Sequence, residues 1–142
     1  MIQIFDSELD QCLYDINNIR EKIADSGSSV LSGNFVKLDI CGYLLVAFFV
    51  AEGQRVAYCG LRKSLIRNVD KPIELDIFVM PKFQHKQIGT RLIKQTAMLA
   101  TSDYSHLTIE VKHSSELVPF YEQLGFQVYY VGQTETVMVY PL

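Results

Sequence analysis

Residues 73–93, IELDIFVMPKFQHKQIGTRLI, constrain the fold more than any other part of this chain. Ile73, Leu75, Ile77 and Val79 alternate with Glu74, Asp76 and Phe78, the period-two pattern of a strand, and Pro81 stops it because proline cannot donate to a ladder. Gln84, His85, Lys86 and Gln87 form a polar loop, after which Ile88, Leu92, Ala97, Leu99 and Ala100 recur in a mostly helical rhythm that Gly89 is expected to open. The first amides of a helix have no partners inside it, and the helix dipole favours negative charge there. The loop is therefore either an anion cradle or an ordinary solvated turn before a helix.

The flanking segments predict a mixed α/β chain. A short strand is expected at Ile2–Phe5, and Ser7 with Asp10 makes an S-x-x-D capping pattern ahead of a helical stripe of Leu9, Leu13, Ile16, Ile19 and Ile23 that ends near Gly27. FVKLDI and YLLVAFFVA are rich in β-branched and aromatic residues and read as strands, and EGQ turns the second back into RVAYCGL as a hairpin. HLTIEVKH predicts a further strand, SELVPFYEQLG a short helix closed by Gly125, and QVYYV and TVMVYP two final strands. The order of elements predicts helices interrupting a largely antiparallel sheet of about six to seven strands.

Length and charge narrow the function classes. A chain of 142 residues fits one domain, here residues 1–142, large enough to bury a core. Its net charge of −3 argues against nucleic acid as a main partner, since phosphate recognition needs a basic face. Cys12, Cys41 and Cys59 are odd in number and widely spaced, so they predict neither a disulfide framework nor a metal site. The acidic start and the absence of a basic flank before an apolar run give no signal peptide, and Tyr43–Ala51 is far short of the ~20 apolar residues that span a bilayer. A cytoplasmic protein without a membrane partner is expected.

Two motifs carry a family resemblance. VMPKFQHKQIGTRLI, with Val79, Pro81, Phe83, Gln84 and Gly89 in register, and PFYEQLGF at Pro119–Phe126 resemble the two signature runs of the GNAT superfamily of acetyl-CoA-dependent N-acetyltransferases. The resemblance implies a GNAT-like fold with a V-shaped opening between two central strands, and acetyl-CoA as cosubstrate. It implies that Ile77, Phe78 and Val79 lie on the splayed strand that pairs with pantetheine. It also implies that amides from Gln84, His85, Lys86, Gln87, Ile88, Gly89 and Thr90 receive the pyrophosphate, a role that suits a helix N-terminus. The chain departs from the family at Gln87, where a glycine is usual; Gln87 can still present its amide if its φ stays negative. Ser114 stands where relatives often have asparagine, and either caps the following helix or touches the cofactor.

The same resemblance assigns the chemistry. Amide formation from an amine and a thioester needs a neutral amine, a polarised carbonyl and a proton for the departing thiolate. Tyr121 matches the position from which many relatives protonate the sulfur, and a phenol, protonated at neutral pH, suits that role. Glu74, Asp76 and Glu110 are the carboxylates available as bases, Glu110 at a position where some relatives that acetylate protein N-termini carry glutamate. The expected function is transfer of acetyl to a primary amine of a small molecule or protein by direct attack, without a covalent enzyme intermediate. A catalytically weak acyl-CoA-binding regulatory protein is the alternative. A homodimer is compatible with either.

Overall fold

The computed structural model describes residues 1–26, 37–112 and 117–142. Seven strands form one sheet: β1 (Ile2–Phe5), β2 (Leu45–Ala51), β3 (Gln54–Lys63), β4 (Pro72–Val79), β5 (His106–Lys112), β6 (Gln127–Val131) and β7 (Glu135–Pro141), ordered β1-β2-β3-β4-β5-β7-β6. Every neighbouring pair is antiparallel except β4 with β5, which are parallel and joined by the crossover helix α2 (Ile88–Ala100). Helix α1 (Leu13–Asp25) packs on β3 and β4, and α3 (Leu117–Leu124) follows β5.

Alternation divides the sheet into two faces. Ile77 and Val79 lie under Gly89 of α2, where a Cβ built at Gly89 would meet their side chains at 3.9 Å. Glu74, Asp76 and Phe78 consequently point to the other face, where Arg20 of α1 lies over the Phe78 ring at 5.3 Å. The α1 face also carries Phe48 and Tyr58, whose registers with each other and with Phe78 set a ladder of aromatic rings at 6.4 and 5.4 Å. Ile16, Ile19 and Ile23 are buried as the helical stripe predicts, and α3 ends at Gly125, whose φ of +109° suits a residue without Cβ.

Several expectations are corrected. Lys37–Ile40, the described part of the expected FVKLDI strand, is not a strand; the Asn17 side chain donates to the Leu38 carbonyl (3.0 Å) and accepts from its amide (2.8 Å), taking the groups a strand neighbour would need. The strand expected from Tyr43 starts at Leu45, because Tyr43 is buried with its ring over Gly60; a Cβ there would stand 2.5 Å from it. Ser7 and Asp10 form no capping box. A 3₁₀ turn, Leu9–Cys12, precedes α1, and Glu8 enters it in the left-handed region with no side-chain cap. In α2 the buried stripe is Ile88, Leu92, Ile93, Thr96 and Ala100, leaving Leu99 exposed. Gly27 and Ser114 lie outside the described residues. Among the described residues, no helix is long and apolar enough to cross a membrane.

Candidate active site

The β4–β5 ladder is short. Pro72, Ile73 and Glu74 pair with His106, Leu107 and Thr108, and then the strands separate, although β4 stays paired to β3 as far as Val79 and β5 to β7 as far as Lys112. Continuing the parallel register would set Asp76 beside Glu110, and like charges side by side destabilise a ladder. The Met80 amide bonds the Val56 carbonyl, so Phe78 and Asp76, of the same parity, also direct their backbone groups to β3. Leu75, Ile77 and Val79 direct theirs into the opening. Gln84 Nε2 donates to the Val79 carbonyl at 3.0 Å, leaving the Val79 amide and both Ile77 groups as the ladder-free positions.

Below the opening, Pro81–Phe83 forms a 3₁₀ turn that buries Phe83, with Lys82 and Lys86 each placing an ammonium 5.6 Å from its ring centre. Gln84–Gln87 are exposed, and α2 begins at Ile88. The Arg91 amide already bonds the Gln87 carbonyl at 3.1 Å, so the amides of Ile88, Gly89 and Thr90 are the ones without an intrahelical acceptor. The condition set for Gln87, a negative φ, is not met: its φ is +61° and ψ +15°, and His85 is also left-handed at +62°. The usual glycine at this position thus has a conformational reason, and Gln87 bears the cost of its Cβ there.

Tyr121 of α3 reaches the opening from the α2 face. It is buried between Phe120 and Phe126, edge to face at 5.1 and 5.5 Å, and Phe126 in turn stacks on Tyr140. Burial, with smaller repulsion from Cys59 and Asp76, pushes its phenol well above the ordinary tyrosine range, so it keeps its proton at neutral pH.

The α1 face of the opening is polar. Arg62 pairs with Glu74 and, at 3.5 Å, with Asp76, while the Tyr43 hydroxyl donates to Asp76 at 2.8 Å and lies 3.0 Å from the Tyr58 hydroxyl. Glu74 and Asp76 are thus committed to Arg62 and Tyr43. Glu110 differs: a hydrogen bond with the Glu135 carboxyl, then burial, then the charge of Glu74 raise it to about 7. The opening encloses a cavity of ≈ 160 Å³ that includes Asp76, Phe78, Glu110, Tyr121 and Glu135. A second cavity, ≈ 470 Å³, adjoins it between Ser64–Ile66 and the Glu74, Thr108 and Glu110 side chains.

The sequence profile of the acetyltransferase (GNAT) domain matches residues 45–128, which contain the splayed strand, the loop, α2 and Tyr121. The chain belongs to the GNAT acetyltransferase family. Its fold is that of several solved relatives. The ribosomal-protein-S18-alanine N-acetyltransferase of Escherichia coli superposes with a TM-score of 0.67 at 20% identity, covering 99% of this chain and 94% of that one. The PaiA N-acetyltransferase of Thermoplasma acidophilum, solved with coenzyme A, gives 0.73 at 15% identity over 100% and 99%. An aminoglycoside 6'-N-acetyltransferase, also solved with coenzyme A, gives 0.71 at 15% identity over 99% and 96%. No curated protein matches the sequence.

In this GNAT chain the tertiary structure brings Tyr121, Glu110, Ile77 and Phe78 to one cavity and places Glu74 on the wall of the adjoining one. Sequence reasoning missed Arg62, Tyr43 and Glu135. Only the ladder registers opposing Arg62 to Glu74 and Lys112 to Glu135 reveal Arg62 and Glu135, and no local motif marks them.

Proposed function

We propose that the chain is an N-acetyltransferase that carries acetyl from acetyl-CoA to a primary amine by direct attack. The observation that carries this reading is the opening between β4 and β5, with ladder-free backbone at Ile77 and Val79, a buried phenol on one face and a carboxyl poised near neutrality on the other. The residues present fit acetyl-CoA. A Cβ at Gly89 would meet only ordinary contacts from Ile77 and Val79, so packing alone does not call for glycine there, and its absence keeps the backbone accessible. The amides of Ile88, Gly89 and Thr90 would hold the pyrophosphate, and Lys86, in the loop just before them, adds positive charge to that end of the helix. The Val79 amide and the Ile77 backbone would hold the pantetheine arm. The bound group supplies an activated acyl carbon.

Glu110 takes a proton from the acceptor ammonium, directly or through water, and leaves a neutral nitrogen. That nitrogen forms the C–N bond as the C–S bond breaks; Tyr121 donates its proton to the departing sulfur and regains one from the nitrogen, so the ammonium loses two protons in all. The ≈ 470 Å³ cavity, walled by Glu74 and Glu110 together with Arg62 and Lys63, adjoins Glu110 and is the space for the acceptor, a small molecule or a protein amine. Cys59 supports attack without a covalent intermediate, being wholly buried with its thiol pushed up to about 12 by burial.

Thermal melting and calorimetry with millimolar acetyl-CoA test cofactor use; a ligand at a hundredfold excess over its Kd stabilises by ~2.7 kcal/mol. The absence of both a thermal shift and any heat of binding would end the reading. Thiol release across a panel of monoamines, polyamines, aminoglycosides and peptides with free N-termini then tests transfer.

A further inference from the structure

Glu135 stands outside both family motifs, yet it faces the one carboxylate that lines both cavities. On β5, Glu110 sits opposite Val137, and Lys112 sits opposite Glu135 on β7. Alternation therefore puts Glu110 and Glu135 on the same face as diagonal neighbours, whose backbones are ~7–8 Å apart and whose long side chains can meet. Among the described residues, Glu110 and Arg62 are the two that line both the opening and the acceptor cavity, and Glu135 lines the opening beside them.

We propose that Glu135 is the positioning residue for Glu110: the two carboxyls share one proton across the β5–β7 ladder, which holds Glu110 at the junction of the cavities and governs when it acts as a base. This rests on the acetyltransferase reading above. The charged groups around the pair set its proton affinity. Arg62 on β3 faces Glu110 but is engaged by Glu74 and Asp76 of β4. Glu74 adds repulsion to Glu110, Lys112 lies opposite Glu135, and Tyr121 of α3, the remaining titratable group lining the opening, stays a neutral phenol. Two carboxylates in contact cannot both ionise easily, so one proton is retained between them. The hydrogen bond with Glu135 is the largest influence on Glu110, ahead of burial.

The deciding measurement is the titration of glutamate carboxyl carbons by NMR on the full chain, with Glu110→Gln used for assignment. In the wild type, Glu110 should titrate with a midpoint of about 7. In both Glu135→Gln and Glu135→Ala it should fall by a unit or more, which takes Glu110 at pH 6 from about one-tenth to about one-half ionised. Two variants guard against one that misfolds, and a role in stability alone would not move this midpoint. An unchanged midpoint in both variants, or a wild-type midpoint in the ordinary carboxylate range, overturns the proposal without touching the acetyltransferase reading. Glu110→Gln should lose turnover with the best amine of the panel above; full turnover at pH 8.5 would show that Glu110 is not the base, and would overturn the role given to Glu135 even if the shared proton is observed.

Discussion

Replacing Gln87 with glycine tests whether the loop before α2 is strained by its own sequence. Gln87 adopts φ +61° and ψ +15°, a conformation that costs an L-residue roughly 1–2 kcal/mol through crowding of its Cβ. Glycine removes that cost, but it also gives the unfolded chain more freedom, worth about 0.4–1 kcal/mol. The expected net effect of Gln87→Gly is stabilisation by about 0.5–1 kcal/mol. Unfolding entropy of ~2.1 cal/mol/K per residue gives ~0.3 kcal/mol/K over 142 residues, so Tm should rise by about 2–3 °C. Gln87→Ala keeps the Cβ and should give no such rise, which makes the pair of melting curves the assay. Calorimetric titration with coenzyme A reads the functional consequence: without the Cβ the backbone can approach phosphate more closely, and the glycine variant should bind more tightly. Equal stabilisation by alanine and glycine, or a lower Tm for glycine, would refute the strain argument.

Tyr121→Phe keeps the ring contacts with Phe120 and Phe126 and removes the proton donor, so Tm and coenzyme A affinity should hold while turnover falls by ~10²-fold; full turnover would remove Tyr121 from the role of acid. Gly60→Ala forces a Cβ to within 2.5 Å of the Tyr43 ring and should destabilise by about 1–3 kcal/mol in urea unfolding; an unchanged midpoint would mean that the ring gives way freely. Stability should also depend on Glu110. Its pKa of about 7 in the folded chain exceeds the ~4.3 of an ordinary glutamate, so the folded state binds the proton more tightly, and this contribution is complete below the ordinary range and lost as pH rises through about 7. Urea midpoints of wild type minus Glu110→Gln should therefore be lower at pH 8 than at pH 5, and a constant difference would contradict the raised pKa.

Local patterns determined most of the fold. The alternation of Ile73–Val79, the aromatic and β-branched runs, and the glycines at 53 and 125 each specify a strand or a turn through a few neighbouring residues, and the structure follows them. The motif spacing likewise marked the strand, loop and helix of the opening. Where sequence reading failed, a distant group had intervened: Asn17 takes the backbone of Leu38, and Tyr43 leaves its expected strand to cover Gly60 and bond Asp76. The left-handed backbone at Gln87 was equally hidden, because glutamine does not advertise a positive φ as glycine would.

The site separates the two kinds of information most sharply. Sequence alone supplied Tyr121, Glu74 and Glu110 as candidates, since residue type and motif position limit which groups can give or take a proton. It could not rank the carboxylates. That ranking comes from neighbours brought by ladder registers across β3, β4, β5 and β7: Arg62 neutralises Glu74 and Asp76, whereas Glu110 meets another carboxyl. A carboxyl's proton affinity depends on the charges and water within a few ångströms, and those belong to residues far away in the chain, so only the folded sheet decides which carboxylate is left able to act as a base.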